Sequence, residues 1–454
     1  MIADANHPNL GLFTDLYELT MLQGFLEEGM TDNAVFTLFV RRLPESRNYL
    51  LACGLEPVLA YLEQLRFTDD DIAYLRSLDR FSERLLRSLR ELRFEGDIYA
   101  VPEGTPVFAD EPILEVVAPI HQGQVVETLV MNQIHLETVL ASKASRIVMA
   151  ARGRTVIDFG ARRTHGIDAA LKGARAFHIA GVHGTSNVLA GKIYGVPVAG
   201  TMAHSYVQAH DDEREAFRAF ARTFPGTILI VDTYDTLDGV RHVIELAKQA
   251  PKEFKISGVR LDSGDLAALG RQTRHLLDEA GLEEIEIFAS SGLDEHKIDA
   301  LVNAGVPIDG FGVGTGMGVS SDAPSLDIAY KLSEYAGEGR TKLSIHKPIL
   351  PGRKQVFRQE EDGRAIGDVI GRSDEVLGGR PLLQRVMRNG QRVPETRSDL
   401  ESARRRAADE LARLSDHVTS LQPADPPYAV NISPALQQFH AEVRAKAKAL
   451  RSGV

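Results

Sequence analysis

Apolar residues change their spacing along this chain, and each change marks a different kind of structure. Between residues 10 and 29, Leu16, Leu19, Met21, Leu22 and Phe25 form one helical stripe, with Thr14 or Asp15 placed to cap it and Gly29 to end it. Ala34–Val40 is a continuous apolar run, the pattern of a strand buried on both faces. Residues 56–92 return to helical spacing. From Gly96 to Ala118 short apolar runs alternate with Pro and Gly, predicting a small β-rich unit.

A helix predicted through Val125–Ala151 leads into Thr155-Val-Ile-Asp158. Short apolar runs then recur at Ala176–Val182, Val196–Ala199, Thr227–Val231, Gly258–Leu261, Ile285–Ala289 and Gly310–Val313. Helical segments separate them at spacings of roughly 20 to 30 residues, the length of a β/α repeat. Each run ends in polar or Gly-rich sequence: DFGARR, GVHGTSN, TMAHS, DTYDT, RLDSGD, SSGLDE and GVGTGMG. In a β/α barrel such ends converge on the face where active sites are built. Beyond residue 340, Lys342–Arg358 and the Gly-, Arg- and Val-rich piece to 393 predict short strands, with a turn at Pro351-Gly352. Ser398-Asp-Leu-Glu401 has the form of a capping box before a charged helix, and a last helix is expected over 434–450.

The expected architecture is therefore α/β. An irregular, TIM-like β/α barrel over 125–340 is joined to a smaller α+β domain built from 1–124 and from strands returning in 341–454.

Composition narrows the partners. The 454 residues are 43% hydrophobic, enough for a large core, and a net charge of −11 excludes the dominant basic face that nucleic acid or an anionic membrane requires. Anionic ligands must be met by local Arg and Lys. The single cysteine, Cys53, excludes a disulfide framework and a cysteine-based zinc site, and reads as a small buried apolar residue. The opening MIADANHPNLGLF lacks a basic leader with an apolar core, and no apolar run reaches bilayer length, so the expected compartment is the cytoplasm.

Several strand ends carry chemistry. Val196-Pro-Val-Ala-Gly-Thr-Met-Ala-His204-Ser205 reads as a buried strand delivering Thr201, His204 and Ser205 to a rim, suited to a nucleophile or an acid/base. His165, His178 and His183 are similarly placed, and the sequence does not rank them. Gly312-Val-Gly314-Thr315-Gly316-Met-Gly318 departs from the dinucleotide fingerprint, leaving a phosphate cradle or a tight turn; Ser290-Ser291-Gly292 offers a second cradle. Arg260 and Asp262 share one side of a strand and either pair or serve a ligand. Phe159 with Arg162 and Arg163 suits a flat anionic ring, or is a core aromatic beside surface charge. Arg41 and Arg42 form a solvated strand edge or an anion clamp.

Taken together, Leu12-Phe-Thr-Asp-Leu-Tyr17-Glu-Leu-Thr-Met, DFGARRTHG, GTMAHS, GVRLDSGDL and GFGVGT, in this order, resemble the nicotinate phosphoribosyltransferase family over most of the chain. The resemblance implies transfer of phosphoribosyl from phosphoribosyl pyrophosphate (PRPP) to nicotinate in NAD salvage, a ligase-type reaction coupled to ATP hydrolysis. It implies Mg²⁺ carried with ATP and PRPP, no zinc, and a homodimer with shared sites.

By the same resemblance, His204 is the histidine phosphorylated by ATP, and Asp232 and Asp262 are acidic site residues, Asp262 also a candidate Mg²⁺ ligand. Tyr17, Phe159, Arg162, Ser186, Thr201 and Arg260 serve nicotinate, with Tyr17 reaching a neighbouring subunit's site. Arg41, Arg42, Ser291, Gly292, Gly314 and Thr315 serve phosphate or PRPP. Related nicotinamide enzymes place an acid where Ser186 stands, and some relatives carry a C-terminal cysteine knuckle this chain lacks. The alternatives are a nicotinamide phosphoribosyltransferase, a non-catalytic pyridine-nucleotide binder, and a barrel phosphosugar aldolase or isomerase. The last requires a lysine or an acid/base pair, and no lysine stands at these strand ends.

Overall fold

The structure, a computed structural model, describes residues 10–249, 251, 254–343 and 349–452. Expectations for residues 1–9 and for 344–348 of the Lys342–Arg358 stretch lie outside the described residues. The chain falls into two compact units, one made of residues 1–142 and 325–454 and the other of 143–324; the sequence pattern had set these divisions near 124 and 340.

In the first unit the run at Ala34–Val40 lies in the strand Asn33–Val40, buried at every residue after Asn33. It sits inside a seven-stranded antiparallel sheet, paired with Ile328–Tyr335 on one edge and Pro112–Pro119 on the other. Burial on both faces removes the usual apolar-polar alternation. Asp97–Ala100 and then Gln384–Arg388 extend the sheet, so N-terminal and returning segments share it. The helical stretch becomes three helices, Leu55–Gln64, Asp69–Ser77 and Glu83–Glu91.

The first helix, Leu16–Glu27, starts after Asp15 and stops before Gly29 at φ +70°. Asp15 makes no side-chain cap bond. Thr14 instead donates its hydroxyl to Glu18, whose Oε1 accepts the Thr128 N–H at 3.1 Å and its hydroxyl at 2.6 Å. Glu18 is fully buried, and burial pushes its carboxyl up to about 7. Late in the chain the cap of Leu400–Arg413 is Asp399 rather than Ser398: its carboxylate accepts the Ser402 N–H at 2.7 Å. A charged acceptor there also opposes the positive end of the helix.

The second unit is built on six parallel strands: β1 (Thr155–Asp158), β2 (Gly184–Thr185), β3 (Thr227–Ile230), β4 (Ile256–Leu261), β5 (Glu286–Ala289) and β6 (Gly310–Val313), in spatial order β2-β1-β6-β5-β4-β3. The first strand lies beside the last, as in a barrel wall. Val198 adds one parallel bridge to Thr185, and among the described residues no hydrogen-bonded strand spans from there to β3. The result is a parallel half-barrel, flanked by α1 (Ile167–Ile179), α2 (Val188–Tyr194), α3 (His204–Gln208), α4 (Glu213–Thr223), α5 (Thr236–Gln249), α6 (Leu266–Glu279) and α7 (Glu295–Asn303).

Two expected strands are corrected. Ala176–Ile179 belongs to α1, where every residue from Ala170 to Ile179 is buried. A helix buried all round shows no polar face, so its short apolar run mimics a strand, and the alanines favour helix. Val196–Ala199 is not a buried strand either. Val196 is buried but Val198 is 53% exposed, and the segment makes two edge bonds, Thr185 N–H to Pro197 O and Ala199 N–H to Thr185 O, each 3.0 Å. Pro197 has no N–H to give a further ladder, which confines it to an edge. Among the described residues no helix is long and apolar enough to cross a membrane.

Candidate active site

The strand ends of the second unit are shaped by side chains that bond back to the backbone. At the end of β1 the Asp158 carboxylate accepts the Gly160 N–H and the Thr185 hydroxyl, both at 2.7 Å, tying β1 to β2. Burial pushes this carboxyl up, against the effect of those two bonds. Phe159 follows, and its ring lies on Gly312 of β6: a Cβ there would stand 2.4 Å from ring carbon, so only glycine fits. Arg162 and Arg163 come next on an exposed turn, and Arg163 donates to Thr315 Oγ1 at 3.2 Å.

From β4, Arg260 reaches toward the Thr201 segment. It donates to Thr201 Oγ1 at 2.5 Å and to the Met202 carbonyl at 3.1 Å, and its guanidinium carbon stands 5.7 Å from the Phe159 ring centre. Its Nε has no hydrogen-bond partner among the described residues. These bonds turn an irregular edge segment into a fixed wall.

Asp262, two residues on, is the junction of the site. Its N–H goes to Asp232 Oδ2 at 2.9 Å, its Oδ1 accepts the Ser290 hydroxyl, and its Oδ2 lies 3.6 Å from His204 Nε2. The Ser263 hydroxyl also donates to Asp232 Oδ2, at 2.6 Å, leaving Asp232 Oδ1 buried with no partner among the described residues. His204 opens α3, and its Nδ1 lies 3.2 Å from Thr233 Oγ1. Two carboxylates on adjacent strand ends, one with a vacant oxygen, form the hard oxygen donor set that Mg²⁺ takes when it keeps most of its water and binds substrate phosphate. Asp232 and Asp262 therefore fit the implied ion.

Two cavities meet here. The larger, about 390 Å³, runs from Ser186 and Val188 past Val198–His204 to Arg260. The smaller, about 140 Å³, is lined by Arg163, Ser290–Gly292, Gly312, Gly314 and Thr315. Phe159, Arg162 and Asp262 line both. Ser291 adopts φ +91° and Gly292 φ +58°. A serine held in left-handed backbone costs roughly 1–3 kcal/mol and is characteristic of ligand-clamping loops.

Eleven sequence-predicted residues thus stand about one cleft: Phe159, Arg162, Ser186, Thr201, His204, Arg260, Asp262, Ser291, Gly292, Gly314 and Thr315. Asp232 supports it through Asp262. Ser205 is exposed and does not line it. Tyr17, Arg41 and Arg42 belong to the other unit. Tyr17 is 45% exposed, and the two arginines share Asp327, at 3.0 and 3.2 Å. Sequence reasoning missed Thr233, Ser263 and the contact of Arg163 with Thr315; DTYDT and RLDSGD contain the first two, but nothing in the string shows which polar neighbour turns inward.

Comparison with known proteins shows the family of the chain. Three family models match: the nicotinate phosphoribosyltransferase N-terminal domain over residues 12–135, the nicotinate phosphoribosyltransferase family over 155–350, and its C-terminal domain over 378–440. The chain is 55% identical over 422 residues to nicotinate phosphoribosyltransferase pncB2 of Mycobacterium tuberculosis, covering 93% of this chain and 91% of the relative. It is 41% identical to the nicotinate phosphoribosyltransferase of Bacillus subtilis, covering 83% and 79%. Among solved structures, human nicotinic acid phosphoribosyltransferase superposes with a TM-score of 0.83 at 28% identity, over 95% of this chain and 99% of the human one.

Proposed function

This chain belongs to the nicotinate phosphoribosyltransferase family, and we propose that it transfers the phosphoribosyl group of PRPP to the ring nitrogen of nicotinate, giving nicotinate mononucleotide and pyrophosphate. The observation that carries the reading is the two-part cleft: a ring-and-anion end and a backbone cradle that share Phe159, Arg162 and Asp262. A substrate bridging the two ends places its reacting bond beside Asp262.

At the larger end, nicotinate stacks on Phe159, and its carboxylate is met by Arg260, whose Nε is unspent, and by Arg162. Ser186 borders this end without a charge that would repel the carboxylate. At the smaller end, the Ser291-Gly292 and Gly314-Thr315 loops offer backbone N–H groups to phosphate. In the reaction the pyridine nitrogen uses its lone pair to form the bond to the anomeric carbon while the bond to pyrophosphate oxygen breaks. No proton must move. The sugar gains oxocarbenium character, which the Asp262 carboxylate stabilises, and the leaving pyrophosphate gains charge, which Arg162, Arg163 and the loops stabilise. Asp232 and Asp262 would hold Mg²⁺, which would supply further charge neutralisation.

With no base required, His204 is best read as the group that couples ATP to the reaction. The Asp262 carboxylate near Nε2 favours an N–H on that atom, leaving the Nδ1 lone pair to accept from Thr233. That lone pair attacks the γ-phosphorus of ATP, ADP leaves, and the phosphohistidine places negative charge in the cleft mouth until water releases it. The parallel half-barrel is read as an irregular β/α barrel of this chain's own residues 125–340, and a second copy completes its active site. Phe13, Leu16, Tyr17 and Met21 make one exposed apolar face, and Val188 and Val198, which line the larger cavity, expose another. A homodimer pairing these faces brings Tyr17, and with it Arg41 and Arg42, to a neighbour's nicotinate and phosphates. The setting is cytoplasmic NAD salvage.

The test is pyrophosphate release by the purified protein, paired with labelling by γ-labelled ATP. Release should require both nicotinate and PRPP and rise with ATP, and the label should be alkali-stable and acid-labile. Release without nicotinate, or none at all, overturns the transferase reading; full ATP stimulation without label overturns the role of His204.

A further inference from the structure

The two loops of the phosphate cradle end on one buried cation. The loop after β5, Ser290–Asp294, runs into Glu295 at the start of α7, and the segment after β6 continues from Gly314 through a single helical turn, Thr315–Gly318, to Asp322. Both carboxylates pair with Lys143 Nζ, Asp322 at 2.8 Å, and Glu295 also accepts from Arg146 Nε at 3.2 Å. Lys143 is 1% exposed and Glu295 fully buried. The loops also touch directly: a Cβ on Gly316 would stand 3.0 Å from the Leu293 carbonyl oxygen, so their separation has little slack.

Such a cluster is a poor device for stability alone. Stripping water from an ammonium and a carboxylate is costly, and an apolar replacement of the same volume often holds a fold equally well. Burial alone would raise the Glu295 carboxyl, but the charge and hydrogen bond of Lys143 outweigh it and hold the group below its ordinary range, so the carboxylate stays ionised. What an apolar cluster cannot do is hold two loops at once by directional bonds. We propose that Lys143 is a positioning residue for PRPP: bound to Glu295 and Asp322, it sets the spacing of the Ser291-Gly292 and Gly314-Thr315 loops that grip the pyrophosphate. It touches no substrate. The inference rests on the reading of those loops as the phosphate cradle.

Asp322→Asn tests it most cleanly, because Asp322 is partly exposed and its loss leaves the Lys143–Glu295 pair intact. KM for PRPP should rise about tenfold, the scale on which small misplacements of a binding group act, while KM for nicotinate and Tm stay close to wild type. Lys143→Met should show the same selective loss, with partial rescue in Lys143→Arg. Unchanged KM values in Asp322→Asn, or equal rises for both substrates with a lowered Tm, make the cluster purely structural and overturn the proposal. Thr315→Val, which removes a cradle hydroxyl without touching Lys143, separates the two ways of failing. If it raises KM for PRPP and Asp322→Asn does not, the cradle stands and the positioning role falls. If neither variant moves it, both are overturned.

Discussion

At the scale of single residues, the histidines show how much a sequence leaves open. His165, His178, His183 and His204 all follow apolar runs. The structure separates them by surroundings: His165 is exposed, His178 is buried in the last turn of α1, His183 Nδ1 accepts the Val156 N–H at 3.1 Å, and His204 faces the cleft between Thr233 and Asp262. His204→Ala should abolish phosphoenzyme and the gain from ATP while leaving a slow ATP-independent transfer, measurable as nicotinate mononucleotide formed with and without ATP. Ser186→Asp should lower kcat/KM for nicotinate at least about tenfold, since an added carboxylate opposes the substrate's charge at close range. Equal efficiency in that variant would remove Ser186 from the ring end. Residue types suited to anions and rings were legible because they follow strand ends; Thr233 and Ser263 act through partners on neighbouring elements, His204 and Asp232, which a string of letters does not show.

At the scale of elements, spacing worked where one face is polar and failed where none is. The first helix forms where its spacing predicts, but only Leu19 and Leu22 of the expected stripe are buried while Leu16 and Met21 are exposed; α1 is buried around its C-terminal half and resembles a strand. Edge segments are equally deceptive: Val196–Ala199 has strand composition but Pro197 stops the ladder. Two element-level outcomes follow from caps and buried acids. Asp399→Ala should destabilise the protein by about 1 kcal/mol in urea unfolding, the usual loss for an N-cap.

Glu18, in the first helix, holds its proton to about 7 in the folded state against an ordinary 4.5. Folding therefore binds a proton between these values, and the stability this carboxyl contributes below about 4.5 is lost as pH rises toward 7. The loss is on the order of 3 kcal/mol. Glu18→Gln should accordingly gain stability relative to wild type across that window and none below it. A difference in Tm that does not change with pH would contradict the assignment.

At the scale of the whole molecule, the β/α rhythm made the parallel sheet legible, and the match to human nicotinic acid phosphoribosyltransferase at a TM-score of 0.83 supports the same architecture. The opening between the Val198 bridge and β3 was not legible, because it depends on which segments fail to pair. Pattern alone expects strands to return after residue 340, but not that the strand near residue 330 also joins the sheet begun before residue 120. A shared-site dimer makes a distinct prediction. Tyr17→Ala and Arg260→Ala, each inactive alone, should on mixing and subunit exchange regain about a quarter of wild-type activity, since half the dimers then carry one intact site of two. No recovery would mean that each chain builds its site unaided.

The central claim is that ring chemistry and phosphate chemistry meet across Phe159, Arg162 and Asp262. A crystal structure with nicotinate mononucleotide tests it most directly. The pyridine ring should lie on Phe159 with its carboxylate at Arg260, and the phosphate should sit against the Ser291-Gly292 and Gly314-Thr315 loops. A nucleotide bound in the reverse sense, or outside this cleft, would contradict the account.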